Sequence, residues 1–196
     1  MKVEVDAMAF WDKWVGSTHI IGLDIGSYTL KCTELRLRRG AYNVLSLSTI
    51  GLPQGTVVDG DILDAFTLEA AIQELVSKQK IRTKKVALAL SGSGVLAKKV
   101  SIPTLSDEEV EAQLSTIASQ YIPVSEDKMK IDYQIIPSRH REAQKMELVI
   151  VAAKQNLIDL YQTVVEAAGL EPVSVETVSS ALTSLYSIVH PRETAD

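Results

Sequence analysis

Ile20-Ile21-Gly22-Leu23-Asp24-Ile25-Gly26-Ser27-Tyr28-Thr29-Leu30-Lys31 reads as a strand, a tight polar turn and a second strand. The apolar run delivers Asp24 to the rim of a sheet. Gly26 permits a turn that a Cβ would crowd, and Ser27 and Thr29 set hydroxyls beside it. Backbone amides of such a turn can hold phosphate oxygens, and a carboxylate at a strand end can hold Mg²⁺ through water. Two readings are open here, a phosphate loop and an ordinary β-hairpin with an aspartate at its turn. A P-loop is excluded, since no Gly-Lys-Ser/Thr follows and no helix opens.

Outward from this hairpin, Ala41 to Gly51 reads as a third strand, with Val44, Leu45 and Leu47 among small hydroxyl residues. Leu52 to Gly60 is a loop by its proline and glycines. Leu68, Ala71, Ile72, Leu75 and Val76 then repeat with helical spacing behind a cap at Asp64 or Thr67. Val86 to Leu90 has no polar face, which predicts a strand covered on both sides. Ser91-Gly92-Ser93-Gly94 suits a hinge where a subdomain begins; a ligand loop is the other reading, but no helix opens after it to present amides.

The middle of the chain has its own order. Val95 to Ile102 is a strand ended by Pro103, and Ser106 with Glu109 forms a capping box. The helix behind it carries Val110, Leu114, Ile117, Ala118 and Tyr121 on one face. Two strands follow, Met129 to Ile136 and Lys145 to Ala152. Asn156 caps a further helix that Gly169 closes. Val173 to Val175 and a last helix striped by Leu182, Leu185 and Tyr186 end the pattern.

Composition narrows the function classes. The chain has 196 residues, 46% hydrophobic and 23% charged, ordinary for a globular α/β protein. A net charge of -5 argues against general nucleic-acid binding, which needs a basic surface. Cys32 is the only cysteine, which excludes an intrachain disulfide and reads as a buried thiol. The three histidines lie far apart without ligand spacing, so no metal site is assigned to them. No signal peptide and no apolar run long enough to span a bilayer occurs, so the expected location is cytoplasmic.

Four clusters in fixed order carry a resemblance: Ile102-Pro103, Asp107-Glu108-Glu109-Val110, Tyr121-Ile122-Pro123-Val124 and Ile131-Asp132-Tyr133-Gln134. Leu148 to Lys154, Ala167 to Val173 and Val175-Glu176 continue it. This series resembles the PilM family, actin-like cytoplasmic proteins of type IV pilus assembly, and more distantly the cell-division protein FtsA. The resemblance covers about Ile20 to Tyr186. It implies an actin-like, ribonuclease H-like subdomain 1A over 17–94 and 170–191, interrupted by a small α/β subdomain 1C over 95–169. It also implies a nucleotide half-site. Asp24 would face Mg²⁺ through water, and Gly26, Ser27, Tyr28, Thr29 and Lys31 would lie at the phosphates. Tyr28 replaces the small serine more usual there. A PilM-like protein continues into a second half with another phosphate loop, which is absent from this chain. MgATP is therefore expected only with a complete second half, since half a cleft cannot bury its ligand.

The functional expectation is a non-enzymatic adaptor of a type IV pilus or related secretion system, peripheral at the inner membrane. It would bind the short cytoplasmic tail of a PilN-like inner-membrane protein and sit near pilus motor components. Val95, Leu96 and Tyr133 are the candidate residues of the peptide groove, placed by their nearness to the 1A–1C junction. For Tyr133 the alternative is simple core filling. A nucleotide-binding enzyme of the actin fold and an FtsA-like membrane-associated scaffold are the competing readings. In the extension 1–16, Phe10, Trp11 and Trp14 suit either a short amphipathic membrane contact or a segment folded onto protein. Without a second half, the stripe of Leu182, Leu185 and Tyr186 would need another cover, hence an expectation of self-association or a partner.

Overall fold

A computed structural model describes residues 19–38, 41–122, 128–136 and 144–190. The extension with Phe10, Trp11 and Trp14 lies outside them, as does Pro123. Contacts divide the chain into two compact units, Met1–Gly92 with Asp159–Asp196, and Ser93–Ile158.

In the larger unit, strand β1 (His19–Ile25) turns into β2 (Thr29–Arg38), which returns as β3 (Ala41–Gly51). The hairpin of β4 (Val57–Val58) and β5 (Asp61–Ile62) follows, a feature the loop assignment for 52–60 missed. Helix α1 (Ala65–Lys78) leads to β6 (Lys85–Leu90), and the chain returns after the smaller unit through α3 (Gln155–Ala167), β10 (Glu171–Thr177) and α4 (Val178–Val189). The five strands order as β10-β6-β1-β2-β3. β6 and β10 run parallel to β1, while β2 is antiparallel to both its neighbours.

Register and alternation define one buried face. Leu23 pairs with Cys32 on one side and with Leu88 on the other. Ile21, Ile25, Leu30, Val86 and Leu90 share that face, and all are buried. Helix α1 buries Leu68, Ala71, Ile72 and Leu75 at the predicted spacing; each buried Leu or Ile contributes about 1.5–3 kcal/mol. Asp64 caps it, its Oδ1 accepting from the Thr67 amide at 3.0 Å. The expectation that β6 is covered on both sides is corrected. Ala87 and Ala89 are half-buried beside Gly22 and Asp24, and side chains this short leave that face partly open.

The smaller unit is a three-stranded antiparallel sheet, β7 (Val95–Pro103), β9 (Lys145–Lys154) and β8 (Met129–Ile136), ordered β7-β9-β8, with α2 (Asp107–Ser119). Its core joins Val100, Ile102, Leu148, Ile150 and Ala152 of the sheet to Val110, Ile117 and Ala118 of the helix. The capping box closes as predicted, with the Glu109 amide donating to Ser106 Oγ and the Ser106 amide to Glu109 Oε2.

Two details of α3 differ from the sequence reading. The helix begins at Gln155, so Asn156 lies inside it, with Oδ1 accepting from the Leu157 amide at 2.9 Å. The two compact units part within it, at 158/159, and its Tyr161 hydroxyl donates to the Gly60 carbonyl of the larger unit. Gly169, at φ +82°, ends the helix with the Leu170 amide on the Val165 carbonyl.

Candidate functional site

β1 carries Asp24 to the carboxyl end of the sheet, where the chain must reverse into β2. Gly26 makes the reversal: its amide donates to the Thr29 carbonyl at 3.0 Å, and a Cβ there would stand 3.1 Å from that oxygen. The Leu52 amide donates to the Tyr28 carbonyl at 2.8 Å, fixing the turn against the end of β3. Ser27 and Thr29 are half-buried, while the Tyr28 side chain is 70% exposed. Asp24 and Lys31 are cross-strand partners, and the Lys31 ammonium lies 2.8 Å from Asp24 Oδ2. The six residues expected at a phosphate loop are thus brought together. The carboxylate already has a cation beside it. Among the described residues, no group of three His, Cys, Asp or Glu side chains could hold a metal ion.

The structure adds neighbours that sequence reasoning did not assign. The turn Asp59–Gly60 abuts Ser91–Gly92 at the end of β6, and both glycines have positive φ. The Tyr161 hydroxyl donates to the Gly60 carbonyl at 2.8 Å in a buried position. Burial pushes this hydroxyl up to about 12, with the charges of Asp61 and Asp24 adding to the effect. Asp24 and Asp61 therefore both bear on the ring that holds the second turn. The glycines at 60 and 92 were the available signal, each following a polar residue next to an apolar strand. Tyr161 was hidden in an apolar helix stripe. Cys32 is buried on the α1 side of the sheet, where burial first and Glu34 second push its thiol up to about 11, an inert setting.

The groove candidates lie in the smaller unit. Val95 and Leu96 open β7, opposite Ala153 and Ala152, and Tyr133 lies on β8, opposite Ile150. Register puts Leu96 and Tyr133 on the core-side face, with β9 between their strands, and turns Val95 to the other face. Leu96 is 39% exposed. Tyr133 is half-buried against the core cluster, and its hydroxyl reaches the Asp107 carbonyl at 3.5 Å.

The order β3-β2-β1-β6-β10, with β2 alone reversed, is an actin-like, ribonuclease H-like sheet carrying an inserted α/β unit. The profile described as type IV pilus assembly protein PilM matches residues 22–192. This chain belongs to the PilM family. Among solved structures it resembles a chain of the PilM–PilN type IV pilus biogenesis complex, at 23% identity and TM-score 0.75 over 88% of its own length. It spans 51% of that chain. It is also similar to the cytoplasmic domain of EpsL, an inner-membrane component of the type II secretion system of Vibrio cholerae. That match has 13% identity and TM-score 0.48, covering 81% of this chain and 57% of the other. A Bacteroides thetaiotaomicron protein with an actin-like ATPase fold matches at 10% identity and TM-score 0.40, covering 91% and 58%. Among the described residues no helix is long and apolar enough to cross a membrane.

Proposed function

We propose that the chain is an adaptor in type IV pilus assembly that holds the short cytoplasmic tail of a PilN-like inner-membrane protein and does no chemistry of its own. The observation that supports this most is the fold match, over 88% of this chain, to a chain of the PilM–PilN type IV pilus biogenesis complex. The smaller unit has the means for peptide capture. β7 is an edge strand, so its outer backbone groups can pair with an extended tail, and exposed Leu96 can meet an apolar side chain. Val95 and Tyr133 are the further contacts of this reading. Recruitment by the membrane partner gives a peripheral location at the inner membrane.

For nucleotide the described residues around Gly26 supply the Asp24 carboxylate, the Lys31 ammonium and a short turn, which do not by themselves enclose a ligand. MgATP therefore needs a second wall. Fluorescence titration with a synthetic peptide of the PilN-like tail tests the adaptor reading. Saturable binding, weakened tenfold or more by Leu96→Asp, is expected. No binding to the folded chain, with binding to a longer protein carrying the second half, overturns it.

A further inference from the structure

Charge in the larger unit is sorted along its strands. β1, β6 and β10 start at one end of the sheet, and β2, which runs the other way, finishes there. That end carries Arg36 and Arg38 at the close of β2, Lys80, Arg82 and Lys84 between α1 and β6, and Lys85 at the start of β6. The connection before β6 is tied in place. Thr83 Oγ1 donates to the His19 carbonyl at 3.4 Å, the Glu171 amide donates to the Lys84 carbonyl at 2.7 Å, and Ile81 is buried.

These cations are available to a partner. Arg36, Arg38, Lys80, Arg82 and Lys84 are exposed, and none of them pairs with a carboxylate among the described residues. The carboxylates at the same end are fewer. Glu34 is 12% exposed and lies 3.2 Å from His19 Nε2, Glu171 opposes Lys85 in register, and Glu166 is in the last turn of α3. Asp24, Asp59, Asp61 and Asp64 all sit toward the opposite, carboxyl end of the sheet. The net charge of -5 is thus unevenly placed, and this one end is cationic.

An aromatic segment departs from the same end. Residues 1–18 join the described chain at His19, the first residue of β1. Trp14 is five positions before it, so chain length alone keeps its Cα within roughly 18 Å of His19. Phe10 and Trp11 precede Trp14, and such rings suit a water–lipid boundary. The segment brings no net positive charge of its own: Lys2 and Lys13 are outnumbered by Glu4, Asp6 and Asp12. The positive charge comes from the folded end.

We infer that this end of the larger unit docks directly on an anionic bilayer, with the six basic residues at the headgroups and Phe10, Trp11 and Trp14 in the boundary layer. The placement selects lipid as the occupant. β2 and β6 flank β1, so the cations stand on both sides of the point from which the aromatic segment departs. That arrangement fits a plane of anionic headgroups around an inserted anchor. A short apolar anchor by itself binds marginally, and a basic patch is the second signal that makes attachment stable. Each Lys or Arg at an anionic leaflet multiplies binding roughly fivefold. No peptide tail takes part, so vesicle binding and tail binding can fail separately.

Co-sedimentation of the full chain with vesicles of phosphatidylglycerol and phosphatidylethanolamine, compared with phosphatidylcholine alone, tests this. Tryptophan emission is a second readout, since Trp11 and Trp14 are the only tryptophans. Binding tenfold or more stronger to the anionic vesicles is expected, with a blue shift of the emission and weakening as salt rises. Arg36→Glu with Lys84→Glu should reduce it tenfold or more, as should Trp11→Ser with Trp14→Ser. Lys128→Glu with Lys130→Glu, the same charge change on exposed lysines of the smaller unit, should leave it unchanged. Equal binding to both vesicles, equal losses from the two charge reversals, or anionic binding with unshifted emission overturns the inference. Absence of vesicle binding overturns it as well, and capture of an acidic peptide or an oligonucleotide in its place would make that the partner of the basic end.

Discussion

Gly60 and Gly92 meet backbone to backbone at the carboxyl end of the larger sheet. A Cβ on Gly60 would lie 2.1 Å from the Ser91 carbonyl oxygen, and one on Gly92 would lie 1.8 Å from the Asp59 carbonyl oxygen. Both have positive φ, +84° and +95°. Steric room and backbone conformation therefore demand glycine at each position independently.

Gly92→Ala and Gly60→Ala should each lower stability by about 2–4 kcal/mol, combining a backbone clash with a left-handed alanine. Gly55 is the control: its φ is also positive, at +87°, but nothing lies within 4 Å of an added Cβ. Gly55→Ala should show only the conformational part, roughly 1 kcal/mol. Urea unfolding midpoints check the ranking, and equal losses at all three positions would remove the clash from the explanation.

Tyr161→Phe removes the donor to the Gly60 carbonyl and leaves that oxygen without this partner in a buried setting. A loss of about 1–3 kcal/mol is expected. The pH dependence follows from the raised hydroxyl value. The native state holds this proton more tightly than the unfolded chain, so the stabilisation is complete below the ordinary value of 10.0. It falls as pH rises from there toward about 12. Denaturant titrations from pH 8 upward should show wild type losing stability faster than Tyr161→Phe above roughly pH 10. Parallel curves would show that Tyr161 does not titrate in this window.

The chain alone should bind MgATP no tighter than millimolar and release no phosphate from it. Lys31 sits 2.8 Å from Asp24, and the turn at Gly26 directs its amide to Thr29 rather than outward. Titration calorimetry is the check. A micromolar dissociation constant that Asp24→Ala abolishes would sink the expectation. The Asp24–Lys31 pair itself is part-exposed, so Lys31→Ala should change stability by less than about 1 kcal/mol.

Helix α4 has no buried residue, and Leu182, Leu185 and Val189 are exposed along it. An apolar dye should bind this face in the isolated chain. The double change Leu182→Lys with Leu185→Lys should remove most of the dye signal while moving stability by under about 0.5 kcal/mol. Unchanged fluorescence would place the apolar surface elsewhere, with β3 the next candidate.

Much of the architecture was legible in the linear sequence because its signals are local. The i, i+3, i+4 spacing from Leu68 to Val76 needs only helix geometry, and Ser106 with Glu109 needs only the first turn of a helix. The hairpin around Gly26 was readable for the same reason, as was the family through its ordered motifs from Ile102 to Gln134. Local signals failed where an element's surroundings decide its state. The apolar run Val86 to Leu90 reads as a doubly covered strand, yet Ala87 and Ala89 are half-buried. Hydropathy measures side-chain chemistry rather than the presence of a second layer.

The sequence by itself determined the order of the longer elements, the caps at Asp64 and Ser106, and the turn that gathers Asp24, Gly26, Ser27, Thr29 and Lys31, since each rests on residues within a few positions of one another. Only the tertiary structure decided that Gly60 meets Gly92 and that Tyr161 ties them down. Those relationships join residues 32 to 101 positions apart, and strand order is set by which surfaces find each other on collapse. No local spacing encodes that choice.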